Sequence, residues 1–286
     1  MPSPKVTIFI PTYQQVDYLR KLLDSIRAQT FQDYEVIITD DSSDDRVQQL
    51  VTQYARDGRL HYFRNRPALG TPANWNAAMQ RAKGEYLKPM LHDDWFHNET
   101  CLGKFVALLD QNPTADFGFS MQQVWHVATA HYSSNPLTMR QQQKLARAPE
   151  WLFFRNRIGV PSVTIFRRRL NQLFDPQLKY AVDWEFYLRA IKQTHCFAYH
   201  PEPLVCVPVG LAFQVTAMCD GNKGVELFEY AHVFNQLYDK RFDLRFFYYW
   251  IKLFHQFGVD KHDPEYQRIC HAYPAIVPYL ALALHG

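Results

Sequence analysis

Three short apolar runs in this chain end abruptly in groups that can do chemistry. Val6-Thr7-Ile8-Phe9-Ile10 leads into Pro11-Thr12-Tyr13, and Ile37-Ile38-Thr39 leads into Asp40-Asp41-Ser42-Ser43-Asp44. Tyr86-Leu87-Lys88-Pro89-Met90-Leu91 leads into His92-Asp93-Asp94. Buried strands that deliver carboxylates and hydroxyls to one sheet edge have this pattern. Polar groups at three strand ends predict a ligand crevice at the carboxyl edge of an α/β sheet. The acids suit a ligand that arrives with a divalent cation. Both acidic stretches also make good turns and helix caps, so neither is specific by itself.

The elements that must position these groups follow from periodicity. Residues 1–118 alternate strand and helix, as in a largely parallel sheet. A helix from about Asp17 places Leu19, Leu22, Leu23 and Ile26 on one face. Strands are predicted over residues 34–39 and 59–63, around a helix from about 45 to 54. Pro72 suits the first position of a helix to about Lys83, with Thr71 as cap and Gly84 as its stop. A strand over 86–91 and a helix over about 99–110 complete this part. Residues 116–126, 160–166 and 197–209 read as strands, and 181–192 as a helix with Val182, Phe186, Leu188 and Ile191 facing the core. Residues 127–148 are polar and irregular, which predicts a mobile loop or crossover. From about Gly221 the pattern changes to two or three aromatic-rich helices.

Composition bounds the function. With 286 residues, 47% hydrophobic and 21% charged, the chain can bury a sizeable core. A net charge of +3, with no long basic tract, excludes an ordinary nucleic-acid binder. The five cysteines are scattered and form no C-x-x-C pair, which predicts reduced thiols and a cytoplasmic protein. The N-terminus carries no signal-peptide pattern, and no apolar run reaches the roughly 18 residues of a membrane span. His126, His131, His195 and His200 lack metal-ligand spacing.

Taken in order, these segments resemble the family 2 glycosyltransferases, inverting nucleotide-sugar transferases of GT-A fold. Val6 to Tyr13 looks like their opening strand and P-[ST]-Y turn. Ala28-Gln29-Thr30-Phe31, followed by Tyr34 to Asp41, resembles their Q-T-x-x-x-x-E-[IVL]-I-[IV]-D-D segment. Asn65, Gly70, Asn74 to Ala78 and Lys83-Gly84-Glu85-Tyr86 resemble their N-x-G, N-x-[AG] and G-E-Y stretch. The likeness covers residues 5 to about 215, and it lies in order and spacing rather than in any single motif.

The resemblance implies roles. Pro11, Tyr13 and Asp41 would bind the nucleotide, with the Asp41 carboxylate taking a ring N–H and Tyr13 stacking on the base. His92-Asp93-Asp94 looks like the D-x-D element, so Asp94 would bind Mg²⁺ or Mn²⁺ and Asp93 would lie near the ribose or the metal's waters. His92 is a departure, because it stands where the first acid often sits. Asp183-Trp184-Glu185 through Arg189 resembles the segment that carries the general base, which implies Asp183. Glu185 is the second candidate, but it lies roughly 200° around a helix from Asp183. Arg189 would pair with an acid or a phosphate. Pro161-Ser162 sits where relatives often place an acceptor-facing turn. After Pro203-Leu204-Val205 the basic residue that many relatives carry is missing, and Lys223 could substitute for it.

The expectation is therefore an inverting, metal-assisted transferase that moves sugar from a nucleotide-diphosphate sugar to a glycan or lipid-linked acceptor. Residues 1–118 would bind the donor, 119–215 the acceptor, and 216–286 would form the helical remainder. Arg245 to Phe254 mixes basic and aromatic residues, which suits core packing, a peripheral membrane contact or a homodimer face. Two rivals remain at this stage. A sugar-1-phosphate nucleotidyltransferase would need a Gly-rich basic loop where Pro11-Thr12-Tyr13-Gln14-Gln15 stands. A catalytically silent nucleotide-sugar-binding protein would have little need of Asp41, Asp93, Asp94 and Asp183 together.

Overall fold

A computed structural model describes residues 3–55, 58–239 and 241–284. In chain order the elements are β1 Val6–Thr12, α1 Val16–Arg27, β2 Tyr34–Asp40, α2 Arg46–Tyr54, β3 Leu60–Arg64, α3 Ala73–Arg81, β4 Tyr86–Pro89, β5 Trp95–Phe96 and α4 Cys101–Asp110. Then come β6 Phe117–His126, β7 His131–Ser133, α5 Met139–Arg147, α6 Trp151–Phe154, β8 Thr164–Arg167, α7 Val182–Thr194 and β9 Ala198–Val209. The chain continues through α8 Val215–Cys219, α9 Lys223–Leu237, α10 Leu244–Phe257, α11 Pro264–Ala272 and α12 Val277–Leu284.

One mixed sheet runs in the order β3-β2-β1-β4-β8-β6-β9-β5, with β7 paired to β6. Strands β3, β2, β1 and β4 are parallel. The chain leaves β1 for β2 and β3 on one side and returns to β4 on the other. This reversal is where a crevice at the strand ends is expected. Strands β8 and β5 join antiparallel, so the halves expected on either side of residue 118 share a single sheet.

The apolar faces predicted for the helices are buried: Leu19, Leu22, Leu23 and Ile26 on α1, and Val47, Leu50 and Val51 on α2. On α7 the predicted Val182, Phe186, Leu188 and Ile191 are joined in the core by Trp184 and Tyr187.

Several expectations are corrected. β1 runs on to Thr12, so Pro11 lies inside the ladder opposite Thr39 rather than in a turn. Pro72 is the N-cap of α3, and no side chain caps it. Gly84 does not stop that helix, which ends at Arg81. It is required by close approach instead: a Cβ there would stand 2.4 Å from the Thr7 backbone nitrogen. The strand predicted over 86–91 ends at Pro89. Residues 127–148 contain β7 and α5, and α5 opens with a capping box between Thr138 and Gln141. That Thr-x-x-Gln signal is present in the sequence.

Among the described residues four α-helices follow Gly221, where two or three aromatic-rich ones are expected. Their aromatic side chains mostly face inward. Phe153 of α6 lies 4.9 Å from the Phe246 ring, 5.3 Å from Tyr249 and 5.2 Å from Tyr230. Trp250 is fully buried. Phe242, Leu244, Tyr248 and Leu282 remain exposed. Among the described residues no helix is long and apolar enough to cross a membrane.

Candidate active site

The ends of β1 and β2 form the first wall. Asp40 is committed to the fold. Its carboxylate accepts from Thr12 Oγ1 at 3.0 Å, Ser42 Oγ at 2.6 Å and Tyr62 Oη at 2.6 Å. Asp41 takes Asn65 Nδ2 at 2.8 Å and Leu69 N at 3.0 Å on Oδ1, and Gly70 N at 2.7 Å on Oδ2. It thereby holds the 65–70 loop beside the crevice and keeps acceptor capacity on Oδ2. Tyr13 is 54% exposed, so its ring face is open. Pro11 is buried in the ladder.

The turn after β4 brings the next acids. Asp93 and Asp94 are buried. Burial, reinforced by the Asp93 charge, pushes the Asp94 carboxyl well above the usual range, while Ser162 and Lys88 oppose that shift. Lys88 is fully buried in β4, and desolvation drives its ammonium well below the usual lysine range. It donates to the carbonyls of Pro89, at 2.9 Å, and Ser162. The Ser162 hydroxyl accepts Leu91 N at 2.7 Å. The Pro161-Ser162 turn thus supports the acidic turn from below. Gln214 Nε2 donates to Asp93 Oδ2 at 2.9 Å. Phe213 packs its ring 5.7 Å from Tyr18 and 6.0 Å from His92. The segment after β9 therefore reaches the acids with an amide and an aromatic ring. Lys223 is occupied elsewhere, bonded to Asp263.

For a divalent cation the donor set is informative. Asp94 Oδ2 is buried without a hydrogen-bond partner, as is His92 Nε2. An open carboxylate oxygen at the base of a crevice fits a metal ligand. Among the described residues no group of three or more His, Cys, Asp or Glu side chains is arranged to hold a metal ion. The residues therefore fit a cation that takes one or two carboxylates from the protein and completes its shell with a diphosphate and water.

The second wall begins at the first turn of α7. Asp183 Oδ1 accepts Trp184 N at 2.7 Å and Oδ2 accepts Asn156 Nδ2 at 2.9 Å. Burial raises its pKa to about 7, against the pull of these hydrogen bonds. The residue as a whole keeps some solvent contact. Tyr187, one turn along, is pushed well above the usual tyrosine range by burial and by the charges of both Asp183 and Asp94. The acids of the two walls thus act on the same ring. Glu185 faces the other way: it is fully buried and paired with Arg189, which also donates to Leu173 O at 2.9 Å. The pair is structural, as one of the two readings of Arg189 anticipates.

Two positioning residues carry no motif. Asn156 Oδ1 accepts Ile158 N and Gly159 N, each at 3.0 Å, so the side chain closes its own turn while its amide holds Asp183. Glu229 of α9 accepts Lys179 N, Tyr180 N and Ala181 N at 2.8, 2.9 and 2.8 Å, which pins the approach to α7. An Asn three residues before a Gly is a visible turn signal, whereas nothing local points to Glu229.

A cleft of about 350 Å³ adjoins this wall and is lined in part by Gln122, Asn156 and Gly159. A smaller hollow of about 140 Å³ opens by Tyr34 and Leu60, at the amino ends of β2 and β3, away from the carboxylates.

Comparison with known proteins follows the same lines. The family model described as glycosyl transferase family 2 matches residues 7–174. The Escherichia coli (strain K12) protein WcaA, a glycosyl transferase named for colanic acid biosynthesis, is 30% identical over 192 residues, covering 66% of this chain and 67% of its own. Among solved structures, S. aureus TarS 1–349 in complex with UDP-GlcNAc superposes with a TM-score of 0.67 at 17% identity, over 98% of this chain and 81% of that one. The Pyrobaculum calidifontis mannosyltransferase PcManGT, in complex with GDP-Man and Mn²⁺, gives 0.61 at 18% identity, over 100% and 75%. The curled mixed sheet flanked by helices is the GT-A fold expected from the sequence. The match covers more than half the chain, and this protein, an enzyme of glycosyl transfer, belongs to glycosyl transferase family 2.

Proposed function

We propose that the chain transfers a sugar from a nucleotide-diphosphate sugar to an acceptor hydroxyl with inversion at C1, and that Asp183 is the general base. The observation that carries this reading is the state of Asp183: a carboxyl whose pKa burial raises to about 7, held by Asn156, which itself lines the adjoining cleft. A base poised near neutrality can take a proton and still be ionised beforehand. Tyr13 and Asp41 bind the base of the donor at the β1 and β2 ends. Pro11, buried in the ladder, supports them through the backbone. Asp94 would hold Mg²⁺ or Mn²⁺, with Asp93 at the ribose or the metal's waters. A bound cation neutralises charge on the leaving diphosphate. As the acceptor oxygen bonds to C1, its proton passes to Asp183. The C1–O bond to the diphosphate breaks, and its electron pair leaves on the diphosphate. No second protein acid is required.

The acceptor in this reading is a glycan or lipid-linked saccharide, as the family resemblance implies. Exposed Phe242, Leu244, Tyr248 and Leu282 offer an apolar face for contact with a membrane surface or a second copy. The test is calorimetry with a panel of nucleoside diphosphates, with and without Mn²⁺, followed by turnover of the matching nucleotide sugar. Metal-dependent binding of one base and a product of inverted anomeric configuration are expected. Retention of configuration, or unchanged turnover in Asp183→Asn, would overturn the assignment.

A further inference from the structure

The cleft beside Asp183 has a chemical character that the transferase reading does not use. Its walls come from β6, from the 133–141 segment and from the 155–159 turn. Arg155 and Arg157 both line it. Among the described residues neither guanidinium has a carboxylate partner within ion-pair distance. The Nε of Arg157 is buried without any hydrogen-bond partner, and so is Oε1 of Gln122 on the facing strand. Arg157 stands over the Trp151 ring at 5.0 Å, and Lys144 reaches the same ring at 4.2 Å. Positive charge is therefore gathered here without an ion-pair partner among the described residues. Burial and the charge of Arg155 both disfavour the Arg157 cation in the free protein.

The cleft is built and held open. The β6–β9 register shifts on either side of Met121, with the extra residues on β9, so the ladder is irregular at this level. Gly159 lies at φ +111°, a backbone conformation that favours glycine, and Gln122 Oε1 stands 2.4 Å from where a Cβ would lie. Tyr199 Oη accepts Leu137 N at 3.0 Å and pins the opposite wall. Its volume, about 350 Å³, is at the low end of ligand-sized clefts, which run to roughly 1,000 Å³.

We propose that this cleft seats the acceptor by an oxyanion, so that the acceptor is an acidic saccharide carrying a carboxylate or a phosphate group. Arg155 and Arg157 receive the anion, Gln122 takes a sugar hydroxyl on its unpartnered Oε1, and the reacting hydroxyl reaches Asp183 past the turn that Asn156 closes. Guanidinium forks match both oxyanions, so the shared chemistry is the anion and not its parent group. This assignment rests on the glycosyl-transfer reading of Asp183.

The test uses the whole chain and three probes of similar length. These are a tetrasaccharide containing glucuronic acid, maltotetraose carrying one phosphate ester and neutral maltotetraose. Binding is followed by calorimetry or saturation-transfer NMR in the wild-type chain and in Arg155→Gln, Arg157→Gln and Arg157→Lys. One acidic probe is expected to bind at least about tenfold more tightly than maltotetraose, with the preference lost in the Gln variants and partly kept in Arg157→Lys. Whether the uronate or the phosphate probe binds identifies the parent group. Equal binding of acidic and neutral probes, binding of neither acidic probe, or no effect of the Gln variants would overturn the proposal. Arg155 is exposed, so its variant reads binding with the fold intact. Nucleoside diphosphate binding by the wild-type chain is measured alongside. Its absence would count against the transferase reading, whereas an absent anion preference with nucleotide binding intact counts against the oxyanion site alone.

Discussion

The amide of Asn156 donates to Oδ2 of Asp183 at 2.9 Å, across 27 residues of sequence, and is the one side-chain hydrogen bond that lowers the Asp183 pKa. It connects the turn that lines the cleft to the carboxylate assigned as base.

That relationship sets a pH dependence. Asp183 must be ionised to accept a proton, and burial has moved its pKa from 3.8 to about 7. Turnover is expected to rise with pH through about 7 and to level above it. In Asn156→Leu, which removes the stabilising donor, this ascending limb should move to higher pH. A profile of kcat against pH for the two proteins checks both points, and identical limbs would refute the link. Asp183→Asn should lower kcat by about 10²–10⁴-fold.

The same shift has the opposite sign for stability. The folded state binds the Asp183 proton more tightly than the unfolded state, so this group's contribution declines as pH rises from 3.8 towards 7. Above pH 7 the fold carries a desolvated carboxylate. Asp183→Asn should therefore raise Tm at pH 8 while abolishing turnover, and leave Tm nearly unchanged at pH 4. Thermal denaturation at the two pH values reads the difference.

Asp94→Ala should remove metal-dependent nucleotide binding, because Oδ2 of Asp94 is the open buried carboxylate oxygen at the crevice. We expect the gain in nucleotide affinity on adding Mn²⁺ to disappear. Chelation with EDTA should bring the wild-type chain to the same affinity as the variant. Persistence of the Mn²⁺ effect in the variant would move the cation site elsewhere.

Glu229→Ala leaves three backbone N–H groups before α7 without their acceptor. An unmet buried donor costs about 1–3 kcal/mol, so a loss of about 3 kcal/mol or more is expected in denaturant unfolding. The turn that presents Asp183 should loosen with it, lowering kcat while nucleotide affinity holds.

Gly84→Ala tests the close approach of the β4 entry to β1. Its Cβ would stand 2.4 Å from Thr7 N and 2.7 Å from Val6 C, both backbone atoms that cannot step aside. The hydrogen bond from Gly84 N to Thr7 Oγ1, and from there to Glu35, would be disturbed as well. A destabilisation of about 3 kcal/mol or more is expected, visible as a lowered Tm or loss of soluble protein.

By itself the sequence determined the parts that depend on neighbours along the chain. Strands β1 and β2 and the helices after them are legible because apolar periodicity is local. The acids at their ends are legible because polar groups recur at three strand ends, although each stretch alone could equally be a turn or a cap. The order of these pieces carried the family. Tertiary structure decided what depends on distant partners. Asp40 and Asp41 are adjacent, yet one is spent on Thr12 and Tyr62 while the other holds the 65–70 loop beside the crevice. Asp183 and Glu185 are two residues apart, yet one is held at the cleft with a pKa near 7 while the other is locked to Arg189. Helix α5 hides in a polar stretch because it buries only Leu145, too little for a periodic signal. The unpaired charge of Arg155 and Arg157 is a matter of which carboxylates fail to come near. Burial and long-range partners set pKa and charge balance, and neither is a property of any window of residues.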